Sequence, residues 1–410
     1  MTIRWITPLL GTGPALLVHQ EPDMNIIDVR DLVDKAGNRA DAIQQKIIEG
    51  CDSLREGKKT VVCCDYGISR SNAVAVGILA KYESIPFEIA VRRVLEATGE
   101  KEIKVDPLHA VRKALEGDLK KTRHEKMRIL VTGGTGTLGK PISQKIAEEF
   151  VVMAPGRDEL DLQQGSTQLD LILSEKEIDC IVHLANPRIY TSNIALGDTL
   201  TMLRNVLDLS VARDIKLIYL SGWEVYSGYR SSHLKADESL PLLPKGPYAE
   251  TKYLCEMLIE HSRRTQGLRC TMLRSSPVYG VGCDKPKFIY SFIDKIKRSQ
   301  RIVTHRYNNG LPALDLLYID DLVAAVVQSV GSDFSGNLNI GTGVITSTHK
   351  VAEILRGLLG EQNEIDSTLI DGDTAGIMMD AGKAQKALGW QHAIGLEQGL
   401  RLILSGLKTN

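Results

Sequence analysis

Short runs of β-branched and apolar residues recur along the chain, separated by stretches whose apolar positions fall at helical spacing. In the first quarter NIIDV (25–29) and TVVCC (60–64) read as strands. The spacing predicts one helix over about 40–54 and another from Asn72 onward. The opening MTIRWITPLLGTGPALLVHQ holds an apolar stretch, but its single early Arg and interrupting Gly-Thr-Gly-Pro make a poor signal peptide. EGDLKKTRHEK (116–126) is charged and without apolar periodicity, which suits a linker. After it, RILVTG, FVVMAP, CIVHLA, KLIYLS and CTMLRSS alternate with amphipathic segments, and that alternation predicts a parallel, doubly wound sheet. The chain therefore divides into 1–115, a linker at 116–126, and 127–410.

Length agrees with this division, since 410 residues exceed one ordinary domain. Apolar content of 43% and charged content of 25% are those of a globular protein. A formal net charge of −1 gives no electrostatic case for nucleic acid or an anionic membrane as partner. No run reaches the roughly 18–20 apolar residues of a membrane span. Seven cysteines, odd in number and scattered, argue for a reducing compartment, so a cytoplasmic protein is expected. No metal site is expected.

The first chemistry-bearing pattern is Val61-Val62-Cys63-Cys64-Asp65-Tyr66-Gly67-Ile68-Ser69-Arg70-Ser71, a strand running through a short loop into a helix. Amides of such a loop converge with the positive end of the helix dipole to make an anion site. The same field lowers the pKa of a cysteine at the start of the loop. Arg70 can grip two phosphoryl oxygens, and Gly67 permits a turn that a side chain would block. The Ser71 hydroxyl can donate to the sulfur as it leaves a phosphocysteine. These are parts for phosphoryl transfer through a covalent intermediate.

The stretch resembles the protein tyrosine and dual-specificity phosphatase superfamily, with its Cys-x5-Arg-Ser/Thr loop, over roughly residues 20–115. The resemblance implies Cys64 as nucleophile and Arg70 as phosphate clamp. It also implies a general-acid Asp about thirty residues upstream, where Asp28, Asp31 and Asp34 lie; spacing favours Asp31. Cys63 stands where relatives usually carry His, which implies a slower reaction. Asp65 and the lack of lysine in the loop disfavour polyanionic inositol phosphates.

The second pattern is Thr132-Gly133-Gly134-Thr135-Gly136-Thr137-Leu138-Gly139, following a strand and opening a helix. Glycines at 133, 136 and 139 allow a tight turn, close approach of a pyrophosphate and close helix–strand packing. The next strand leads to Gly156-Arg157 rather than to an acidic residue. Arg157 suits a 2′-phosphate, which favours NADP over NAD. Tyr248 and Lys252 lie four apart, on one face of a helix. Lys252 can hold the nicotinamide ribose and lower the phenol pKa, so that Tyr248 exchanges a proton as hydride moves.

With SGWEVYSG, LRSSPVYGVG, LLYIDDLVAAVV, GNLNIGTG and MMDAGKAQKALGW in that order, residues 127–405 resemble the extended short-chain dehydrogenase/reductase superfamily. PGRDELDLQ is most similar to the dTDP-4-dehydrorhamnose reductase branch. The resemblance implies a Rossmann-type sheet with a smaller C-terminal substrate lobe, behind a small phosphatase-like α/β domain. It places Asp161 beside the adenine and His183-Leu184-Ala185 against the cofactor. It adds Thr135, Thr137 and Leu138 to the glycines of the binding loop. Gly222 stands where relatives bind the substrate oxygen with Ser or Thr, and adjacent Ser221 is the substitute at hand. Glu224 stands where dehydratase-like members keep an acidic catalyst. Leu314-Asp315 replaces the usual Arg-Asp, removing a diphosphate clamp that Arg306 or Arg274 could restore.

The expected function is a bifunctional enzyme. It joins phosphate monoester hydrolysis at Cys64 to NAD(P)-dependent reduction, epimerisation or dehydration of a sugar- or nucleoside-like metabolite. The alternative is a phosphoprotein phosphatase regulated by an NADP(H)-sensing domain without turnover. The family likeness also implies a homodimer through the C-terminal domain.

Overall fold

A computed structural model of the chain describes residues 2–18, 24–34, 38–116, 126–187, 192–283 and 285–407. Most of the expected linker, 117–125, lies outside the described residues. The chain separates into two compact units, Met1–Glu125 and Lys126–Asn410.

In the first unit a four-stranded sheet runs, in spatial order, Arg4–Trp5, Leu10–Pro14, Thr60–Cys64, Asn25–Asp28. Thr60–Cys64 is parallel to both neighbours and buried along its whole length, as the run TVVCC requires of a strand covered on both faces. Successive side chains therefore enter different cores. Val62 and Cys64 pack with the large helices, whereas Val61 and Cys63 pack with Ala15 and Val18. Helices Ala40–Arg55, Arg70–Glu83, Phe87–Thr98 and Val105–Glu116 complete the unit. The helix Arg70–Glu83 is buried continuously from Ser71 to Ala80. A Cβ at Gly50 would lie 2.4 Å from Ile78 Cδ1, so the absent side chain is what lets the helix Ala40–Arg55 cross this one closely. The opening segment, read as an apolar stretch without an assigned element, supplies two strands. LGTGP is buried throughout, and its glycines and proline hide the strand signal.

In the second unit six strands form one parallel sheet in the order Gly336–Ile340, Cys270–Ser275, Lys216–Gly222, Cys180–His183, Arg128–Thr132, Val151–Met153. Five of these are the alternating runs of the sequence; the sixth lies inside GNLNIGTG. From Arg128–Thr132 the chain steps outward to the edge strand Val151–Met153 and then crosses back to Cys180–His183. The order of strands thus reverses at the carboxyl end of Arg128–Thr132, where open α/β sheets bind ligands. Beyond the sheet lie short strand pairs: Leu234–Ala236 with Ile377–Met379, Ile302–Tyr307 with Ile365–Ile370, and Ala313–Asp315 with Ile345–Ser347. Among the described residues no helix is long and apolar enough to cross a membrane.

Candidate functional sites

The central strand of the first unit ends on Cys64, and the helix behind it opens at Arg70. Cys64 Sγ accepts a hydrogen bond from the Gly67 amide at 3.2 Å and, as a thiol, donates to the Ser71 hydroxyl at 3.4 Å. Burial pushes the thiol up, but the Ser71 hydroxyl and the amides of Ser71, Ile68 and Gly67 outweigh it, and the pKa falls below the ordinary thiol value. Gly67 has φ +70°, and a Cβ there would lie 2.5 Å from the Gly13 carbonyl carbon, so the turn admits only glycine. Cys63, on the other face of the strand, is pushed up to about 11 by burial and by Asp28.

Arg70 is held by the segment that leaves the strand Asn25–Asp28. Its Nη1 donates to the Leu32 carbonyl at 2.8 Å and to the Arg30 carbonyl at 3.2 Å, while Nη2 binds Asp65. The three candidate acids sit on that segment with different partners. Asp28 is paired with Arg30. Asp31, favoured by spacing, is turned onto Lys46 at 3.0 Å. Asp34 is the carboxylate against Arg70, 3.6 Å from Nε, and also reaches Lys104. Of the three, Asp34 rather than the spacing-favoured Asp31 is the carboxylate nearest Arg70.

In the second unit a cleft of about 1170 Å³ opens at the reversal point of the sheet. Gly133, Thr135, Gly136, Thr137, Leu138 and Gly139 line it, as do Arg157, Asp161, Leu184 and Ala185. Gly133 has φ +72°, and a Cβ on it would lie 2.8 Å from the Ala185 backbone. One on Gly139 would lie 2.1 Å from the Gly133 carbonyl oxygen. The loop folds back on itself, the Gly136 amide donating to the Gly133 carbonyl at 3.0 Å. A loop so tight, opening the helix Gly139–Ile146, fits the pyrophosphate of a dinucleotide. Arg157 Nη2 donates to Gln163 Oε1 at 2.6 Å, and its Nε lies 3.5 Å from Asp161.

Gly222, Glu224, Tyr248 and Lys252 line the same cleft. The helix Pro247–Gln266 starts with Gly246 at φ +86° and Pro247 in its first turn, which fixes where Tyr248 enters. Lys252 Nζ donates to the Leu220 carbonyl at 2.8 Å and lies 5.8 Å from the centre of the Tyr248 ring. Burial pushes the ammonium pKa down. His183, buried with Nδ1 2.7 Å from the Thr132 hydroxyl, is pushed down to about 3 by burial and by Lys252, so the imidazole is neutral. An ideal Cβ at Gly222 would lie 2.2 Å from Glu224 Oε2: the carboxylate occupies the space a side chain at 222 would take. Burial pushes the Glu224 carboxyl up, against the pull of Lys252 and Lys285.

Three expectations are corrected here. Ser221 lines the cleft, but its hydroxyl is engaged away from a substrate, its Oγ donating to Glu256 Oε1 at 2.6 Å with the residue buried. Arg274 is no clamp, because it forms a buried pair with Glu256 at 2.6 Å and donates to Tyr226 Oη at 2.7 Å. Arg306 is exposed on the strand Ile302–Tyr307 and does not line the cleft. Asp315 is structural, its carboxylate accepting from the amides of Thr342, Gly343 and Met379. The Glu256–Arg274–Ser221 group had no signal in the sequence, since its members lie far apart along the chain. Glu256→Leu is expected to lower stability by about 3–5 kcal/mol by leaving the Arg274 charge buried and unpaired; denaturant unfolding measures it.

A parallel sheet reversing at a glycine loop, with a Tyr–Lys pair in the same cleft, defines the second unit as a Rossmann-type dinucleotide-binding fold. The NAD dependent epimerase/dehydratase family matches residues 129–341, and the chain belongs to that family. It is similar to the UDP-glucuronate 4-epimerase of Thermodesulfobacterium geofontis, 28% identical over 257 residues, covering 59% of this chain and 76% of that protein. Among solved structures, Thermus thermophilus UDP-glucose 4-epimerase in complex with NAD superposes with a TM-score of 0.60 at 21% identity, covering 69% of this chain and 99% of that one. RMD from Pseudomonas aeruginosa, complexed with NADPH, gives 0.58 at 22%, with the same coverage of 69% and 99%.

Proposed function

We propose that the chain is a bifunctional enzyme, a cysteine-dependent phosphate monoester hydrolase joined to an NAD(P)-dependent epimerase, dehydratase or reductase of a sugar- or nucleoside-like metabolite. The observation that carries the second half is that the glycine loop, Tyr248 and Lys252 line one cleft. The first half rests on the hydrogen bonds gathered on Cys64 Sγ.

In the first unit the Cys64 thiolate attacks phosphorus and the ester P–O bond breaks. The departing oxygen takes a proton from an aspartic acid of the 28–34 segment, Asp34 or Asp31. Water then breaks the S–P bond, phosphate leaves, and Ser71 stabilises the returning thiolate. Asp65 beside Arg70 favours a substrate with a single phosphate.

In the second unit NAD or NADP, when bound, supplies reversible hydride exchange at its nicotinamide ring. The loop 133–139 holds the pyrophosphate, Lys252 binds the ribose and favours the phenolate, and Tyr248 moves a proton at the substrate oxygen. Glu224, its carboxyl raised by burial, supplies a second proton. Arg157 supports NADP, although its contacts with Asp161 and Gln163 must give way for a 2′-phosphate. The nucleotide sugars in the names of the relatives set the substrate class to try first; Leu314 in the cleft, without the usual Arg, removes a diphosphate clamp and widens it to sugars or nucleosides lacking a diphosphate. Half-exposed Leu254 and Met257 on the helix Pro247–Gln266 support a homodimer.

The test has two arms on the full chain. Phosphate release is measured on a panel of sugar and nucleoside phosphates, an aryl phosphate and a phosphotyrosine peptide. NADH and NADPH are titrated by nicotinamide fluorescence, and nucleotide sugars are then offered. Turnover of a small phosphate together with cofactor-dependent conversion of a sugar is the expected result. No release from any phosphate ester overturns the first half, and no binding of either dinucleotide overturns the second.

A further inference from the structure

The loop after Cys64 is held from outside by a residue that no loop motif contains. Arg4 lies on the strand Arg4–Trp5, opposite Thr12 in the antiparallel pair with Leu10–Pro14. The next residue of that strand, Gly13, is the one against which Gly67 packs. From this position Arg4 Nη2 donates to the Gly67 carbonyl. Its Nη1 is anchored on Glu100 Oε1 and lies 3.4 Å from the Thr98 carbonyl, at the end of the helix Phe87–Thr98. A guanidinium fork spans both partners, which a lysine ammonium cannot do in the same geometry.

The consequence follows from peptide geometry. In a trans peptide the carbonyl and the following N–H point in opposite directions. Holding the Gly67 oxygen on the Arg4 side therefore aims the Ile68 N–H the other way, and that amide is among those that lower the Cys64 thiol pKa. Gly67, at φ +70°, is the residue of the loop at which a peptide plane turns most easily, so the aim of this amide needs a hold. The Gly67 N–H already points at Cys64 Sγ.

We propose that Arg4 is a positioning residue for the Cys64 site: its grip on the Gly67 carbonyl keeps the Ile68 amide directed at the sulfur and so maintains the thiolate and the anion cradle. The inference rests on the reading of Cys64 as a nucleophile and goes beyond it, since Arg4 touches neither the sulfur nor a bound phosphate.

The test uses the full chain and needs no substrate. Cys64 is alkylated with iodoacetamide from mildly acidic to mildly alkaline pH and followed by mass spectrometry of its peptide, with Cys64→Ser as blank. The ionisable groups around the sulfur, Arg70 and Asp65 on the loop, Asp34 and Arg30 on the neighbouring segment, and Cys63 on the strand, remain unchanged in every variant. Arg4→Met is expected to lower the rate at mildly acidic pH about tenfold and to move the profile to higher pH, as for loss of one hydrogen bond to a charged group. Arg4→Lys, the milder change, should shift it the same way by less. Glu100→Ala separates aim from simple charge. Removing a negative charge would by field alone lower the Cys64 pKa, whereas loosening Arg4 leaves it unchanged or raises it. An unmoved profile in Arg4→Met, or a fall in Glu100→Ala, overturns the proposal. Should Arg4→Met fail to fold, as circular dichroism would show, Arg4→Lys and Glu100→Ala still decide. A wild-type Cys64 that reacts only at alkaline pH sinks the nucleophile reading itself, which is a different result from a reactive Cys64 indifferent to Arg4.

Discussion

On the proposed covalent route, replacing Cys64 by serine is expected to lower phosphate release by at least about 10⁴-fold, the scale of losing a covalent nucleophile. A serine hydroxyl is not ionised near neutral pH, and the amides that lower the thiol pKa cannot bring an alcohol into range. The cradle itself survives: the Gly67 and Ile68 amides, Ser71 and Arg70 are unchanged, so the variant should still bind inorganic phosphate in a calorimetric titration. The combination is the diagnostic. Lost turnover with retained anion binding assigns the sulfur to bond making, whereas residual hydrolysis near the wild-type rate rejects the covalent route. On this reading the active form in the wild type is the thiolate, whose pKa lies below the ordinary thiol value. Activity should therefore be present above that pKa and fall away as pH drops through it.

The second large effect is expected from Tyr248→Phe. Removing the phenolic oxygen removes the proton carrier but leaves the glycine loop, Lys252 and the cleft walls intact, so conversion of a sugar substrate should fall about 10²–10⁴-fold with little change in dinucleotide affinity. Gly133→Val should do the opposite first. Its side chain meets the Ala185 backbone, and dinucleotide binding is lost before any chemistry can be measured. A second reading draws on Gly222, which offers no hydroxyl, and Ser221, whose hydroxyl is taken by Glu256. In it the second unit senses NADP(H) without turnover. If Tyr248→Phe leaves every measurable output of the protein unchanged while Gly133→Val does not, that reading replaces the catalytic one.

The parts of this protein legible in the sequence are those where one short segment dictates a geometry. TVVCC followed by Gly67 and Arg70 could only be a buried strand turning into a helix, and the TGGTGTLG loop announces its own conformation through glycines whose Cβ atoms would collide. The alternation of apolar runs and helical stretches gave the parallel sheet because buried parallel strands need no polar face. What stayed hidden depends on residues far apart in the chain. Ser221, Glu256 and Arg274 meet across 35 and 18 positions. Arg4 reaches Gly67 across 63. The choice between Asp31 and Asp34 was likewise closed to spacing, since it turns on which carboxylate Lys46 and Arg70 each draw. Leu10–Pro14 escaped for a local reason, its glycines and proline reading as a break in the very place where a strand is fully covered.

Gly222 and Glu224 have a bearing on how this cleft can diversify. Because the carboxylate of one lies in the volume that a β-carbon of the other would need, a change at 222 requires the Glu224 side chain to move. A serine placed at 222 turns the carboxylate aside, and a shorter side chain at 224 leaves room that 222 can then fill. Hydroxyl and carboxylate compete for one volume, so the place of the acid in this cleft depends on the residue two positions before it.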